Sequence, residues 1–277
     1  MHQPFPRTIL LAAALVLATA AADGPPASKQ TDPGPPADFK LQIALFEAGD
    51  NPVATAELIV RKGLAYQFVR EAPEEVVIID PARARVVLFD VSRNVRTELT
   101  PKRLDRALSR IHEDVRLKIE KYEKAGTRSD RVMASKYRDM IDPSFPETFD
   151  PASGRLTFSN ATIKVEATGA AEPDGARLVS IANALAALVK LGAVHDASNL
   201  TPFARLQAIR SLVVTHGLRP TEIACVTRLS NPPQKFRWTF RVEPELTDRE
   251  RLAIARIDVA LPRTPLLPFE KYVEDED

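Results

Sequence analysis

The chain has 277 residues, 38 Lys+Arg against 37 Asp+Glu, 44% hydrophobic residues, 23 Pro, 10 Gly and 1 Cys. That length suits one large domain or two modest ones. A net charge of +1 excludes a strongly basic nucleic-acid binder and an acidic tail protein as whole-chain descriptions, and 1 Cys excludes an internal disulfide framework or a four-cysteine zinc site.

Residues 1–22, MHQPFPRTILLAAALVLATAAA, place Arg7 before an apolar run from Ile9 to Leu17 and then the small residues Ala18-Thr19-Ala20. This is the layout of a secretory signal peptide, with an uncleaved membrane anchor as the rival reading. The only cysteine is Cys225, so the cleavage point has no lipid-attachment residue. No later stretch is expected to approach spanning length. Loss of Arg7 would leave a neutral mature chain, expected in the periplasm or outside the cell. Residues 23–37, DGPPASKQTDPGPPA, hold nothing bulky to bury and read as a disordered proline-rich linker.

From Asp38 the pattern changes. Phe39–Ile43 alternates; a turn at Gly49–Pro52 leads into Ala56–Val60; Gly63 precedes Leu64–Val69. Two dense apolar runs, Val76–Ile79 and Val86–Phe89, are joined by Asp80-Pro81-Ala82-Arg83 and followed by Val91–Leu99. Short runs with such punctuation predict an antiparallel meander. At Thr100-Pro101 the period becomes helical: an N-cap and a proline at the first helical position precede Leu104, Leu108, Ile111, Val115, Ile119 and Tyr122. Gly126 ends this helix, and a second is predicted over 129–141.

Strands are predicted again around Leu156–Phe158 and Ala161–Ala167. Residues 178–191, LVSIANALAALVKL, are apolar almost all round, which predicts a helix buried in the core. Thr201-Pro202 repeats the cap before Phe203, Leu206, Ile209 and Val213. A hairpin follows between 222–229 and 235–242, with Phe236, Trp238, Phe240 and Val242 on one face and Lys235, Arg237, Thr239 and Arg241 on the other. Thr247-Asp248-Arg249-Glu250 is a capping box, so a helix is preferred through Ile257 over the strand that the alternation Ala255, Ile257, Val259, Leu261 would suggest. Residues 274–277, Glu-Asp-Glu-Asp, read as an acidic tail.

Motifs of catalysis are missing: no GxSxG, HExxH, CxxC, P-loop or GxGxxG occurs. His112 lies on a charged helix, His195 beside Asp196 in a loop, and His216 in a last helical turn where the dipole favours it. None has metal-ligand spacing to another. Cys225, in the alternating IACVT, reads as a buried free cysteine. Residues 61–140 carry 19 Lys/Arg against 13 Asp/Glu, which offers a basic surface, although strands facing water need charges in any case.

The runs FKLQIALF, AELIVRKGLAYQFV and EEVVIIDPARARVVLFDVSRNVRTEL in residues 38–99 resemble the first half of the periplasmic lipoprotein-carrier and outer-membrane lipoprotein-sorting superfamily. The resemblance is one of layout and carries over no functional residue. It implies an unclosed antiparallel barrel over helices, with an apolar concavity that shelters acyl chains. The expected architecture is α+β: one domain over 38–273, a curved antiparallel sheet with four or five helices against one face. The expected role is non-catalytic, binding a lipid-like ligand or lipoprotein in a groove lined by Phe236, Trp238, Phe240, Phe68 and Phe89. The alternative is an envelope interaction module docking a protein partner through the charged helix 101–125 and cations such as Arg106, Arg110, Arg237 and Arg241. A hydrolase has least support, and no cofactor, metal or nucleic acid is expected.

Overall fold

A computed structural model describes residues 37–47, 49–141, 146–195 and 202–274. Residues 1–22, read above as a signal peptide, all but the last residue of the expected linker, and residues 275–277 of the acidic tail lie outside the described residues. The first six strands form the expected meander: β1 (Phe39–Glu47), β2 (Pro52–Arg61), β3 (Leu64–Val69), β4 (Ala72–Asp80), β5 (Arg85–Asp90) and β6 (Val95–Leu99). The β4–β5 turn is the predicted one, closed by the Asp80 carboxylate accepting from the Arg83 backbone N–H. A second set, β7 (Glu147–Asp150), β8 (Arg155–Ser159), β9 (Ile163–Ala171), β10 (Leu218–Thr227) and β11 (Gln234–Glu243), is also antiparallel throughout. The short edge strand β7 is an addition to the sequence reading.

The two sets meet where β1 pairs with β11, from Lys40 opposite Glu243 to Glu47 opposite Phe236. The result is one curved sheet of 11 strands in the order β6-β5-β4-β3-β2-β1-β11-β10-β9-β8-β7, not closed into a barrel. Alternation gives it two faces. Phe39, Leu41, Ile43 and Leu45 of β1 point the same way as Trp238 and Phe240, into the larger core. Gly154 and Gly169 meet where β9 passes the β7–β8 turn: a Cβ on Gly154, at φ 63°, would lie 2.4 Å from the Gly169 carbonyl oxygen. Only glycine fits both the backbone angle and the approach.

Between β6 and β7 run α1 (Pro101–Ala125) and α2 (Arg128–Ile141). The Thr100 hydroxyl caps the Arg103 N–H, Gly126 closes α1 in the left-handed region at φ 73°, and the predicted stripe Leu104, Leu108, Ile111, Val115 and Ile119 is buried. Between β9 and β10 run α3 (Gly175–His195), α4 (Pro202–Arg210) and a π-helical turn, Ser211–Thr215. Helix α3 is the interior helix expected from its composition, packed against α1, α4 and β10. Its apolar segment, Gly175–Val194, is long enough to span a bilayer. That corrects the expectation that nothing beyond residues 1–22 approaches this length, and here the segment packs within the fold.

The helices do not all share one face, which is a second correction. Helix α5 (Asp248–Ala260) lies on the opposite side of the sheet, where Leu246, Ile254 and Ile257 join Ile59, Tyr66, Val76, Ile78, Val87 and Phe89 in a separate core. The capping box forms, with Thr247 and Glu250 bonded reciprocally, and settles the choice between helix and strand. A short helix, α6 (Phe269–Glu274), brings the helices to six among the described residues. Just before it, residues 265–267 cover the β6 edge: Arg96 N–H donates to the Pro265 carbonyl and Leu267 N–H to that of Arg96.

Helix α5 is held by a buried cation. Lys40 Nζ, on the α5 side of β1, sits 2.5 Å from Glu250 Oε1, 3.0 Å from Glu243 Oε2 and 3.9 Å from Glu57 Oε1. Burial pushes the Glu250 carboxyl up, but hydrogen bonds from Lys40 and from the Thr247 N–H outweigh it and hold the group below the usual carboxylate range. A carboxyl lowered in the folded state stabilises above its unfolded pKa, and that contribution fades as pH falls through the folded value. Urea unfolding should therefore show stability dropping below about pH 4.5. Lys40→Met should cost about 3 kcal/mol at pH 7, because it strands the largely buried Glu250 carboxylate. It should also make the acid limb shallower, because Glu250 then loses the partner that lowers its carboxyl, and a limb of unchanged depth would exclude this pairing as its source.

Candidate ligand site

The structure divides the five aromatic residues singled out in the sequence. Trp238 and Phe240 are buried in the large core between the sheet and the helices α1–α4, with Phe236 packed at its margin. Phe236 and Trp238 stack with centroids 5.9 Å apart. Phe89 belongs to the other core, beneath α5, with Phe68 packed against it. Strand parity accounts for the split: Phe68 and Phe89 occupy positions of β3 and β5 whose neighbours Gln67 and Leu88 face the large core. A groove lined by all five does not exist.

Helix α4 contributes the side chain that the sequence reading missed. The stripe Phe203, Leu206, Ile209 predicts one inner face, but Phe203 and Leu206 are only half-buried. The residues that turn fully inward are Ala204, Arg205, Ala208 and Ile209, continuing to Leu212 in the π-helical turn. Arg205 is 7% exposed. Its guanidinium carbon lies 4.5 Å from the centre of the Trp238 ring, a cation–π contact. Among the described residues no carboxylate pairs with it, and its buried Nε has no hydrogen-bond partner. Burial draws the guanidinium down to about 10, so it is still a cation at neutral pH.

Other polar atoms on this face share that condition. Among the described residues, the indole N–H of Trp238 and the Thr227 hydroxyl are buried without partners, as are both amide atoms of Gln67. Thr227 is on β10, two residues from Cys225, whose thiol interacts electrostatically with Arg205. Trp238 stands opposite Ile223 of β10 and Leu45 of β1. Gln67 is three strands away, about 14 Å across the sheet. Such groups are uncommon in folded interiors, because each costs about 1–3 kcal/mol of desolvation. Ala204 and Ala208, one turn apart, are buried on the same inner side of α4 as Arg205.

A constellation of Ser, His and Glu also exists, at the sheet edge. Glu147 of β7 accepts from Ser211 Oγ at 2.5 Å and lies 3.4 Å from His216 Nε2, and His216 stacks on Phe149 with centroids 3.6 Å apart. The carboxylate stands between serine and histidine, so the imidazole is not placed to take the serine proton, as a nucleophilic triad requires. His112 meets the Phe203 ring edge-on. His195 ends α3 rather than lying in a loop, and Asp196 is outside the described residues. No group of three or more His, Cys, Asp and Glu converges as a metal site among the described residues.

The basic face of the last hairpin is largely neutralised. Arg237 lies 3.6 Å from Glu222 and over the Phe46 ring, and Arg241 is 3.8 Å from Glu243. On α1, Arg116 pairs with Glu113 and Glu120, whereas Arg106 and Arg110 are exposed with no ion pair among the described residues. No protein-family model matches the chain, and a search of curated proteins likewise finds no match.

Cys225 tests the description of this interior. It is fully buried, and burial pushes its thiol up to about 12 despite Arg205 nearby. An aromatic disulfide reagent at pH 8 should leave it unmodified until denaturant is added. Trp238, the one tryptophan of the chain, should then emit at short wavelength and resist iodide quenching. Prompt labelling of Cys225 in the folded protein would show that this face is open to water.

Proposed function

We propose that this protein is an exported, non-catalytic binding protein that holds a lipid-like ligand between its curved sheet and helices α1–α4. The observation that carries the reading is the composition of that space. It is apolar, built from β-strand aliphatics and an alanine-rich α3, yet among the described residues Arg205 Nε, Trp238 Nε1, the Thr227 hydroxyl and the Gln67 amide have no polar partner. A purely structural core would pair or eliminate these groups. The open sheet over helices is also the architecture that the resemblance to lipoprotein carriers implies. The signal-peptide layout of residues 1–22 supports export.

Protein purified without detergent should carry or take up an acyl ligand. Native mass spectrometry should show a bound species of lipid mass, or a fluorescent fatty acid should titrate to saturation at one equivalent. Absence of both in folded protein would refute the binding role.

A second reading is supported by the stretch of α1 where Lys102, Arg106 and Arg110, spaced four residues apart, are exposed without carboxylate partners among the described residues. Such a row suits a docking face for an acidic partner. The double reversal Arg106→Glu with Arg110→Glu should leave thermal stability within about 0.5 kcal/mol, as expected for exposed sites. Under this reading it should abolish co-purification of the partner. Unaltered co-purification would leave the row as a solvated surface.

A further inference from the structure

We propose that Arg205 and the indole N–H of Trp238 form the receptor for the carboxylate headgroup of a long-chain fatty acid, whose chain occupies the apolar space beside them. This rests on the binding reading above and specifies its ligand. Burying an ion carries an effective penalty far larger than one cation–π contact returns. The interior around Arg205 therefore has an electrostatic deficit that a single negative charge would close. Nothing among the described residues supplies that charge.

The stoichiometry of charge selects the headgroup. A carboxylate is a monoanion and leaves the pair neutral, whereas a phosphate monoester, near −2 at neutral pH, would bury an excess negative charge. The two donors also match a carboxylate, which has two oxygens: one can take the guanidinium edge and the other the indole N–H. With the guanidinium carbon 4.5 Å above the ring centre, both donors belong to one small volume. The same face of the sheet carries Phe236, Phe240, Ile43 and Leu45, aromatic and aliphatic side chains suited to contact with methylenes.

Delipidated protein titrated calorimetrically with oleate, methyl oleate and oleyl phosphate, each below its aggregation concentration, tests the assignment. Oleate is expected to bind about tenfold or more tightly than its methyl ester, as for a charge-assisted hydrogen bond, and oleyl phosphate more weakly than oleate. Arg205→Met should bind methyl oleate as the wild type does, lose the preference for oleate, and melt at a higher temperature when empty, because an unpaired buried charge has gone. Equal binding of acid and ester to the wild type would overturn the headgroup assignment and leave the acyl-binding reading standing. Binding of neither would refute both. The comparison on wild-type protein remains decisive if the methionine variant does not fold. If that variant folds but keeps the preference for oleate, Arg205 is not the receptor.

Discussion

The pairing of β1 with β11 is the constraint on which the rest of the molecule depends. Without it the chain would be two separate meanders, each with an apolar face too narrow to bury α3. With it, Leu41, Ile43 and Leu45 line up beside Val242, Phe240 and Trp238 in one register, and the helices inserted after β6 and after β9 are brought over a common surface. A slip of one residue would turn that whole set to the other face. The register is secured on the reverse side as well, where Lys40 and Glu243 face each other and α5 closes over them through Glu250.

The neighbouring β10–β11 hairpin brings Trp238 beneath α4. Arg205 is held there by helix geometry, with Ala204 and Ala208 on either side of it along the chain and Cys225 near it on β10. A cation placed by two rigid elements loses little freedom when it meets an anion, which favours recognition over stability. That trade of stability for recognition would explain an interior that leaves hydrogen-bonding capacity unused.

Much of the fold is legible from local rules. Thr100-Pro101 starts α1, the capping box at Thr247 decides for α5 against strand-like alternation, and strict period-two patterning places Trp238 and Phe240 together. What could not be read is set by contacts between distant residues. The side of the sheet that α5 covers depends on Lys40 meeting Glu250, 210 residues further along the chain. The separation of Phe68 and Phe89 from Trp238 follows from strand parity, and a contact list of aromatics cannot supply it. Arg205 escaped notice because an arginine beside half-buried Phe203 and Leu206 reads as outward. Only the packing of α4 on the sheet shows that its alanine face points inward.

The central seam has a temporal consequence. Its two halves are supplied by the first strand and the last, so a chain emerging from a ribosome or a translocation pore has no middle until residue 243 has appeared. The early meander must wait with one flank of β1 unmatched, exposed to other chains or to a holding chaperone. Maturation of this protein is thus expected to be concerted and late, and its waiting form, rather than its finished one, is where quality control has most to act upon.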